Sequence, residues 1–215
     1  MFRSILMQRS ILSYFTLPAS AEVASTPAAQ KPTNKIFIDD FISSGSTSIS
    51  TDIPEKPYMD IFCDGACFNN GRRGARAGMG LYVKVNGADH TSVSEALERS
   101  EPQTNQRAEL RALERALEFA TEASGMTIRI FTDSEYSINC ITKWAYEWRK
   151  NNWCRANHKV VQHQDVIANA NALWDTLKDR TVIEHVKAHT NRHDWKSLGN
   201  HKADQYAVAS ITNKH

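Results

Sequence analysis

Four carboxylates in this sequence stand where a folded chain could use them to hold cations. Asp64 follows the strand-like run Tyr58–Cys63 and precedes Gly65-Ala66, so it is read at the point where a strand ends and turns. Asp133 follows the β-rich run Ile128–Thr132 in the same way. If those two strands are parallel neighbours, both acids emerge at carboxyl ends, the usual place for ligands in an open α/β sheet. Glu109 has Ala112, Leu113 and Ala116 at i+3, i+4 and i+7, which puts it on the inward face of a helix. Asp204 repeats the pattern with Ala207, Val208 and Ile211. Brought together, such acids repel and are driven toward protonation unless cations compensate them. Hard carboxylate oxygens suit Mg²⁺ or Mn²⁺. Four negative charges offset two divalent ions, the arrangement for in-line phosphodiester displacement with metals about 4 Å apart. The plainer alternative is that Asp64 and Asp133 cap turns while Glu109 and Asp204 make ordinary ion pairs.

The elements that must position these acids are legible from period and punctuation. Strands are expected at Tyr58–Cys63, Gly80–Val85 and His90–Glu95, the last two joined by an Asn86-Gly87 turn. A helix capped by Thr104 or Asn105 runs to about Ala123 and ends at Gly125. A strand at Thr127–Thr132 leads into short helices between Ser134 and Arg149. A helix over Asp165–Lys178, a strand at Thr181–Val186 and a helix over Asn200–Ser210 complete an α/β texture.

Composition narrows the classes further. The chain has 215 residues, 41% hydrophobic and 23% charged, which is ordinary globular usage. No window nears the roughly 20 apolar residues of a membrane span, so no membrane association is expected. A net charge of +2 is too small to mark a nucleic-acid binder by itself. The distribution is more telling. Between Lys143 and Lys159 lie Lys143, Arg149, Lys150, Arg155 and Lys159 against one acid, Glu147, with Trp144, Trp148 and Trp153 interleaved. Basic residues contact phosphates and aromatic rings offer flat faces to bases or sugars. Alternatively Trp144 and Trp148, at i and i+4, face inward together as core. Cys63, Cys67, Cys140 and Cys154 contain no C-x-x-C pair and read as inert thiols in a reducing compartment. The spacing of His185, His189 and His193 does not make a zinc face if residues 181–186 are a strand.

Residues 1–57 are rich in Ser, Thr, Ala and Pro and are expected to be a disordered leader, with Lys35–Ile42 as a short ordered patch. Met1–Ala21 carries Arg3 and Arg9, several hydroxyls and no acid, with apolar Phe2, Ile5, Leu6, Ile11, Leu12 and Phe15. That describes either a mitochondrial transit peptide or an untargeted terminus; Arg9 interrupts the apolar run a secretory signal needs. Location is therefore read as mitochondrial or as nuclear and cytoplasmic, and residues 58–215 as the catalytic domain.

Taken together the motifs resemble ribonuclease H of the type 1 family. Asp64-Gly65-Ala66-Cys67 with Asn70-Gly71-Arg72, then Thr104-Asn105-Gln106-Arg107-Ala108-Glu109, then Thr132-Asp133-Ser134 carry the resemblance. His185-Val186-Lys187-Ala188-His189 and Gly199-Asn200-His201-Lys202-Ala203-Asp204 continue it, over Tyr58 to Ser210. The resemblance implies an RNase H-like fold, a five-stranded mixed sheet flanked by helices. It implies cleavage of the RNA strand of RNA–DNA hybrids with two Mg²⁺ ions, leaving 5′-phosphate and 3′-hydroxyl ends. Asp64, Glu109, Asp133 and Asp204 become the metal ligands, Asp64 bridging both ions. Asp204 holds the ion that activates the attacking water, and Glu109 and Asp133 the ion facing the leaving oxygen. His189 assists proton traffic or product departure. Asn70, Asn105 and Gln106 meet the minor groove of the hybrid, where the 2′-hydroxyl distinguishes RNA from DNA; turn formation and capping are their structural alternative. The Lys143–Lys159 segment, with Trp148 in contact and Trp144 and Trp153 of mixed packing, corresponds to a basic protrusion gripping the DNA strand. Thr104 and Gln162 match a DNA-phosphate pocket, although Pro102 stands where an arginine helps in other members. The interval from His189 to Asp204 is a few residues longer than usual, and no N-terminal hybrid-binding module is recognised. A monomer without a protein partner is expected. The rivals are an inactive hybrid-binding module, which the intact acid set opposes, and another nuclease or strand-transfer enzyme of the same superfold.

Overall fold

The structure is a computed structural model, and it describes residues 56–187 and 194–212. Residues 1–55 of the expected leader, the Lys35–Ile42 patch within it, His189 and His193 lie outside the described residues, whereas Pro57 already joins the domain, its carbonyl accepting from the Thr127 N–H at 3.0 Å. Strands β1 (Tyr58–Phe68), β2 (Arg76–Val85) and β3 (Ala88–Ala96) form an antiparallel meander. Helix α1 (Asn105–Glu122) then leads to β4 (Thr127–Thr132). Short helices α2 (Glu135–Asn139) and α3 (Ala145–Lys150) flank a π-helical turn at Cys140–Trp144. Helix α4 (Gln164–Leu177), strand β5 (Thr181–His185) and helix α5 (Trp195–Thr212) follow. The sheet order is β3-β2-β1-β4-β5, with β4 parallel to both β1 and β5. This is the expected five-stranded mixed sheet.

Central β1 reads as a continuous buried run, as a strand covered on both faces must. Phe62 joins Tyr82, Phe131, Val186 and Ala203 in a cluster beneath α5, while Gly65 meets Ala108 of α1. Residues 62 and 65 point to opposite faces of a strand, so α1 and α5 cover opposite faces of the sheet. Helix α4 packs beside α1, and α5 lies across β1, β2 and β3. Asn86 and Gly87 both adopt positive φ (49° and 81°), the turn their types predict between β2 and β3.

Several boundaries differ from expectation, each for a physical reason. Asp64 does not end a strand. Pairing of β1 with β4 stops at Phe62, but pairing with β2 continues to Phe68, so Asp64 sits mid-strand with one neighbour missing. β2 begins at Arg76 rather than Gly80 because a strand paired on both sides tolerates Gly78 and Gly80. Helix α5 begins at Trp195 rather than Asn200. Asp194 accepts hydrogen bonds from the backbone N–H groups of Lys196 and Ser197 at 3.1 and 3.0 Å, starting the helix upstream of Gly199. Part of the long His189–Asp204 interval is therefore helix. Val208 is exposed, whereas Ala207 and Ile211 are buried as expected. No helix among the described residues is long and apolar enough to cross a membrane.

Candidate active site

Two glycines bring the helical acids to Asp64. Gly65, on the α1 face, lies directly beneath the α1 backbone at Ala108 and Glu109, where any Cβ would collide. Gly80 is the β2 partner of Asp64 and receives the α5 backbone at Ala203 and Ala207 just as closely. Glu109 and Asp204 thus approach Asp64 from helices on the two sheet faces, while Asp133 follows β4 in the adjacent parallel strand. All four acids are partly buried.

The electrostatics report the convergence. Burial, then the charge of Asp133, and further those of Asp204 and Glu109 push the Asp64 carboxyl up to about 8, against a lowering bond from the Gly65 N–H. Burial likewise raises Glu109, opposed by the hydroxyl of Ser134 and assisted by the charge of Asp133. Asp60, four residues before Asp64 and on the same strand face, shows the contrast. It is 2% exposed but neutralised by a two-pronged pair with Arg129 at 2.6 and 2.8 Å. Asp60 has its own cation, and Asp64 faces only acids.

Three of the four acids are held by neutral donors. Gly65 N–H donates to Asp64 Oδ1 at 2.7 Å. Asn105 Nδ2 donates to Glu109 Oε1 and Ser134 Oγ to Glu109 Oε2, both at 2.6 Å. Asn200 Nδ2 donates to Asp133 Oδ2 at 3.2 Å, and His185 Nε2 lies 3.1 Å from the Asp133 carbonyl oxygen. Ser134 and Asn200 are partners the sequence reading missed. Their signals were available: Ser134 stands three residues before Ser137 at a helix start, and Asn200 lies one turn before Asp204, as Asn105 does before Glu109.

The donor set suits a hard divalent cation. It consists of carboxylate oxygens in mutual repulsion, and Asn200, 5% exposed, leaves its Oδ1 buried without a partner, an acceptor that a cation or its water would satisfy. Among the described residues no three His, Cys, Asp or Glu side chains already surround one point as a closed cage. Mg²⁺ does not need one, since it typically takes one or two carboxylates and completes its shell with water and substrate phosphate.

The other sequence-selected residues fall into two groups. Asn70, exposed on the β1–β2 hairpin, accepts from the Asn105 backbone N–H at 3.3 Å, and Gln106 is exposed on the first turn of α1. These three therefore sit at one place beside Glu109. Thr104, not Asn105, caps α1, accepting from the Arg107 N–H at 3.2 Å, which leaves the Asn105 amide for Glu109. Gln162 is exposed ahead of α4. In the basic segment Trp144 is 41% exposed and Trp148 half-buried, with ring centroids 5.8 Å apart. Trp144, at the end of the π-helical turn and edge-on to Tyr136 with centroids 6.1 Å apart, is thus the more open ring, the reverse of the expected order. Arg149 and Lys150 are paired with Asp175 and Glu147 at 3.1 and 2.8 Å, whereas Lys143 is exposed. The segment is less nakedly basic than its composition suggests. All four cysteines are free, and burial pushes the Cys63 thiol up.

Comparison with known proteins gives a consistent picture. The model of the RNase H family matches residues 56–212. Ribonuclease H of Schizosaccharomyces pombe is 37% identical over 148 residues, covering 68% of this chain and 50% of that protein. Human Ribonuclease H1 is 33% identical over 153 residues, covering 70% and 49%. The chain thus spans about half the length of these relatives. Among solved structures the PFV RNase H domain has the same fold, with a TM-score of 0.60 at 22% identity, covering 73% of this chain and 96% of that domain.

Proposed function

This chain belongs to the RNase H family, and from that premise we propose that it is an endonuclease cutting the RNA strand of RNA–DNA hybrids. The observation that carries the reading is the approach of Glu109, Asp133 and Asp204 to a partly buried Asp64, whose carboxyl is pushed up to about 8 by burial first and then by the charges of those three acids. Asp64, Glu109, Asp133 and Asp204 would hold two Mg²⁺ ions, or Mn²⁺ in their place. When bound, the ions supply an activated water and compensate the charge that develops on the phosphate and the leaving oxygen, leaving 5′-phosphate and 3′-hydroxyl ends. The chain's own contribution is placement. Asn105 and Ser134 fix both oxygens of Glu109, Asn200 fixes one oxygen of Asp133, and the Gly65 N–H fixes one of Asp64. These bonds set the directions of the remaining lone pairs before substrate arrives, which avoids reorganisation during the reaction.

Strand choice falls to Asn70, Asn105 and Gln106, whose amides and backbone can meet the 2′-hydroxyls of the RNA strand in the minor groove. Lys143, Trp144, Trp148, Arg149 and Lys150 grip the DNA strand, with Thr104 and Gln162 at a DNA phosphate. His189 assists proton traffic or product departure. Residues 1–57 form a leader dispensable for catalysis, and Met1–Ala21 directs the protein to mitochondria; a fluorescent reporter fused to residues 1–35 tests this, and a diffuse signal contradicts it.

Single substitutions test the mechanism. Asp64→Asn and Asp133→Asn each remove a charged ligand and lower hybrid cleavage by several orders of magnitude, while His189→Ala costs far less. Near-normal turnover in either acid variant, or an equal loss in His189→Ala, contradicts the assigned roles.

A further inference from the structure

The β1–β2 hairpin carries a charge concentration that the reading above does not use. From Gly65 to Met79 the chain contains no acid and three arginines, Arg72, Arg73 and Arg76. All three are exposed, and none has an ion-pair partner among the described residues. Of the other described arginines, Arg107, Arg111, Arg115, Arg129 and Arg149 each face a carboxylate and Arg180 donates to backbone carbonyls, while Arg99 and Arg155 stand singly, far along the chain from one another. What sets the hairpin apart is clustering: three unpaired arginines fall within residues 72–76 with no acid nearby in sequence, a local charge of +3 in a chain whose net charge is +2.

The hairpin is also fixed in place rather than free to wander. Its turn is closed by Arg72 N–H donating to the Asn69 carbonyl at 2.8 Å and by positive φ at Asn69, Gly71 and Gly74. Its base is tied to the segment entering α1. Ala77 N–H donates to Gln103 Oε1 at 2.8 Å, Cys67 Sγ contacts the Gln103 carbonyl at 3.4 Å, and Asn70 accepts from Asn105 N–H at 3.3 Å. The guanidinium of Arg76 lies 5.5 Å from the centroid of the exposed Phe68 ring, which limits the orientations that side chain must lose on binding an anion. The three arginines are thus held at a defined place next to Asn70 and Gln106.

We propose that this hairpin is a phosphate clamp for the RNA strand of the hybrid, acting from the minor-groove side and separate from the Lys143–Lys159 grip. The proposal rests on the reading of Asn70 and Gln106 as 2′-hydroxyl contacts. Residues two to six positions beyond Asn70 on the same tight hairpin reach the backbone that bears those hydroxyls. Guanidinium groups suit phosphate oxygens, since each presents paired donors in a plane. The clamp adds affinity and register and carries no sequence information.

The test is equilibrium binding of the full chain to a fluorescein-labelled RNA–DNA hybrid in EDTA, which prevents cutting, across a salt series. Arg72→Ala, Arg73→Ala and Arg76→Ala combined should flatten the log–log salt dependence by about 3, roughly 1 per lost phosphate contact. The matching triple Arg→Lys variant should keep most of the slope, which excludes misfolding as the cause. In wild type, trimming the RNA strand from one end should remove the same slope, and the triple alanine variant should be indifferent to that trimming. An unchanged slope in the alanine variant overturns the clamp and leaves a solvated face. Dependence on trimming of the DNA strand instead overturns the strand assignment. Cleavage of the hybrid by wild type in Mg²⁺ is scored separately; its failure would count against the nuclease reading and not against the clamp.

Discussion

Replacing Gly65 by alanine perturbs the site without touching an acid. A Cβ at position 65 would be driven into the backbone of Glu109 and lie 2.8 Å from Ala108 Cβ. Carbon atoms rest comfortably at about 3.5–4.0 Å, so α1 must lift by about 1 Å to admit the methyl group. Neither side can yield by rotating a flexible chain, because the obstruction is helix backbone. Such overpacking costs about 1–3 kcal/mol of stability. The catalytic cost is larger, since Glu109 rides on the displaced turn and a misplacement of about 1 Å can cost about 10²-fold in rate. Gly125→Ala provides the control. Gly125 has φ of +75° with nothing within 4 Å, so alanine there carries only the left-handed backbone penalty of about 1–2 kcal/mol. Both variants should lose comparable stability by thermal unfolding, yet only Gly65→Ala should lose hybrid cleavage in Mg²⁺ well below its melting temperature. Gly65→Ala turning over within a few-fold of wild type, or Gly125→Ala being equally impaired, would refute the claim that this close approach positions Glu109.

Ser134→Ala removes a bond to an ionised carboxylate, about 1.5–3 kcal/mol, and the side-chain cap of α2, about 1 kcal/mol. The lost donation lets the Glu109 carboxyl rise further, so protons compete better with the cation; half-maximal Mg²⁺ should increase, more at pH 6 than at pH 8, with Ser134→Thr restoring it, and a pH-independent effect would contradict this role. Asp64→Asn should make the metal-free protein more stable at high pH. With the folded carboxyl near 8, above its unfolded value of 3.8, wild type in EDTA loses stability as pH rises between those values, and the variant's melting temperature should lack that decline. Neutralising Lys143 alone should flatten the salt dependence of hybrid binding by about 1, and Arg149→Ala or Lys150→Ala by less, because Asp175 and Glu147 already share those charges.

Much of the fold was legible because its signals are local. The Asn86-Gly87 turn, the apolar stripe Ala112-Leu113-Ala116 and the β-rich run before Asp133 each specify their element within a few residues. What escaped depends on contacts distant in sequence. Asp64 was read at a strand end because Gly65 looks like punctuation; in the fold that glycine admits a helix 44 residues away, at Glu109, and the strand runs on against β2. The last helix is expected only from Asn200, but Gly199 is buried inside α5 against the Phe62 ring, and Asp194 begins the helix. The acids themselves were visible from residue type and spacing. Their partners were not, because Ser134 and Asn200 are ordinary cap and helix residues until Glu109 and Asp133 are brought beside them.

The most direct test is a substrate panel. Purified full chain is incubated with end-labelled RNA–DNA hybrid, RNA duplex, DNA duplex and single-stranded RNA, each with Mg²⁺ and with EDTA, and the products are resolved by length. Internal cuts confined to the RNA strand of the hybrid, present with Mg²⁺ and absent with EDTA, are the predicted result. Cutting of the other substrates at comparable rates, or cleavage that survives EDTA, would contradict a hybrid-specific nuclease built on Asp64, Glu109, Asp133 and Asp204.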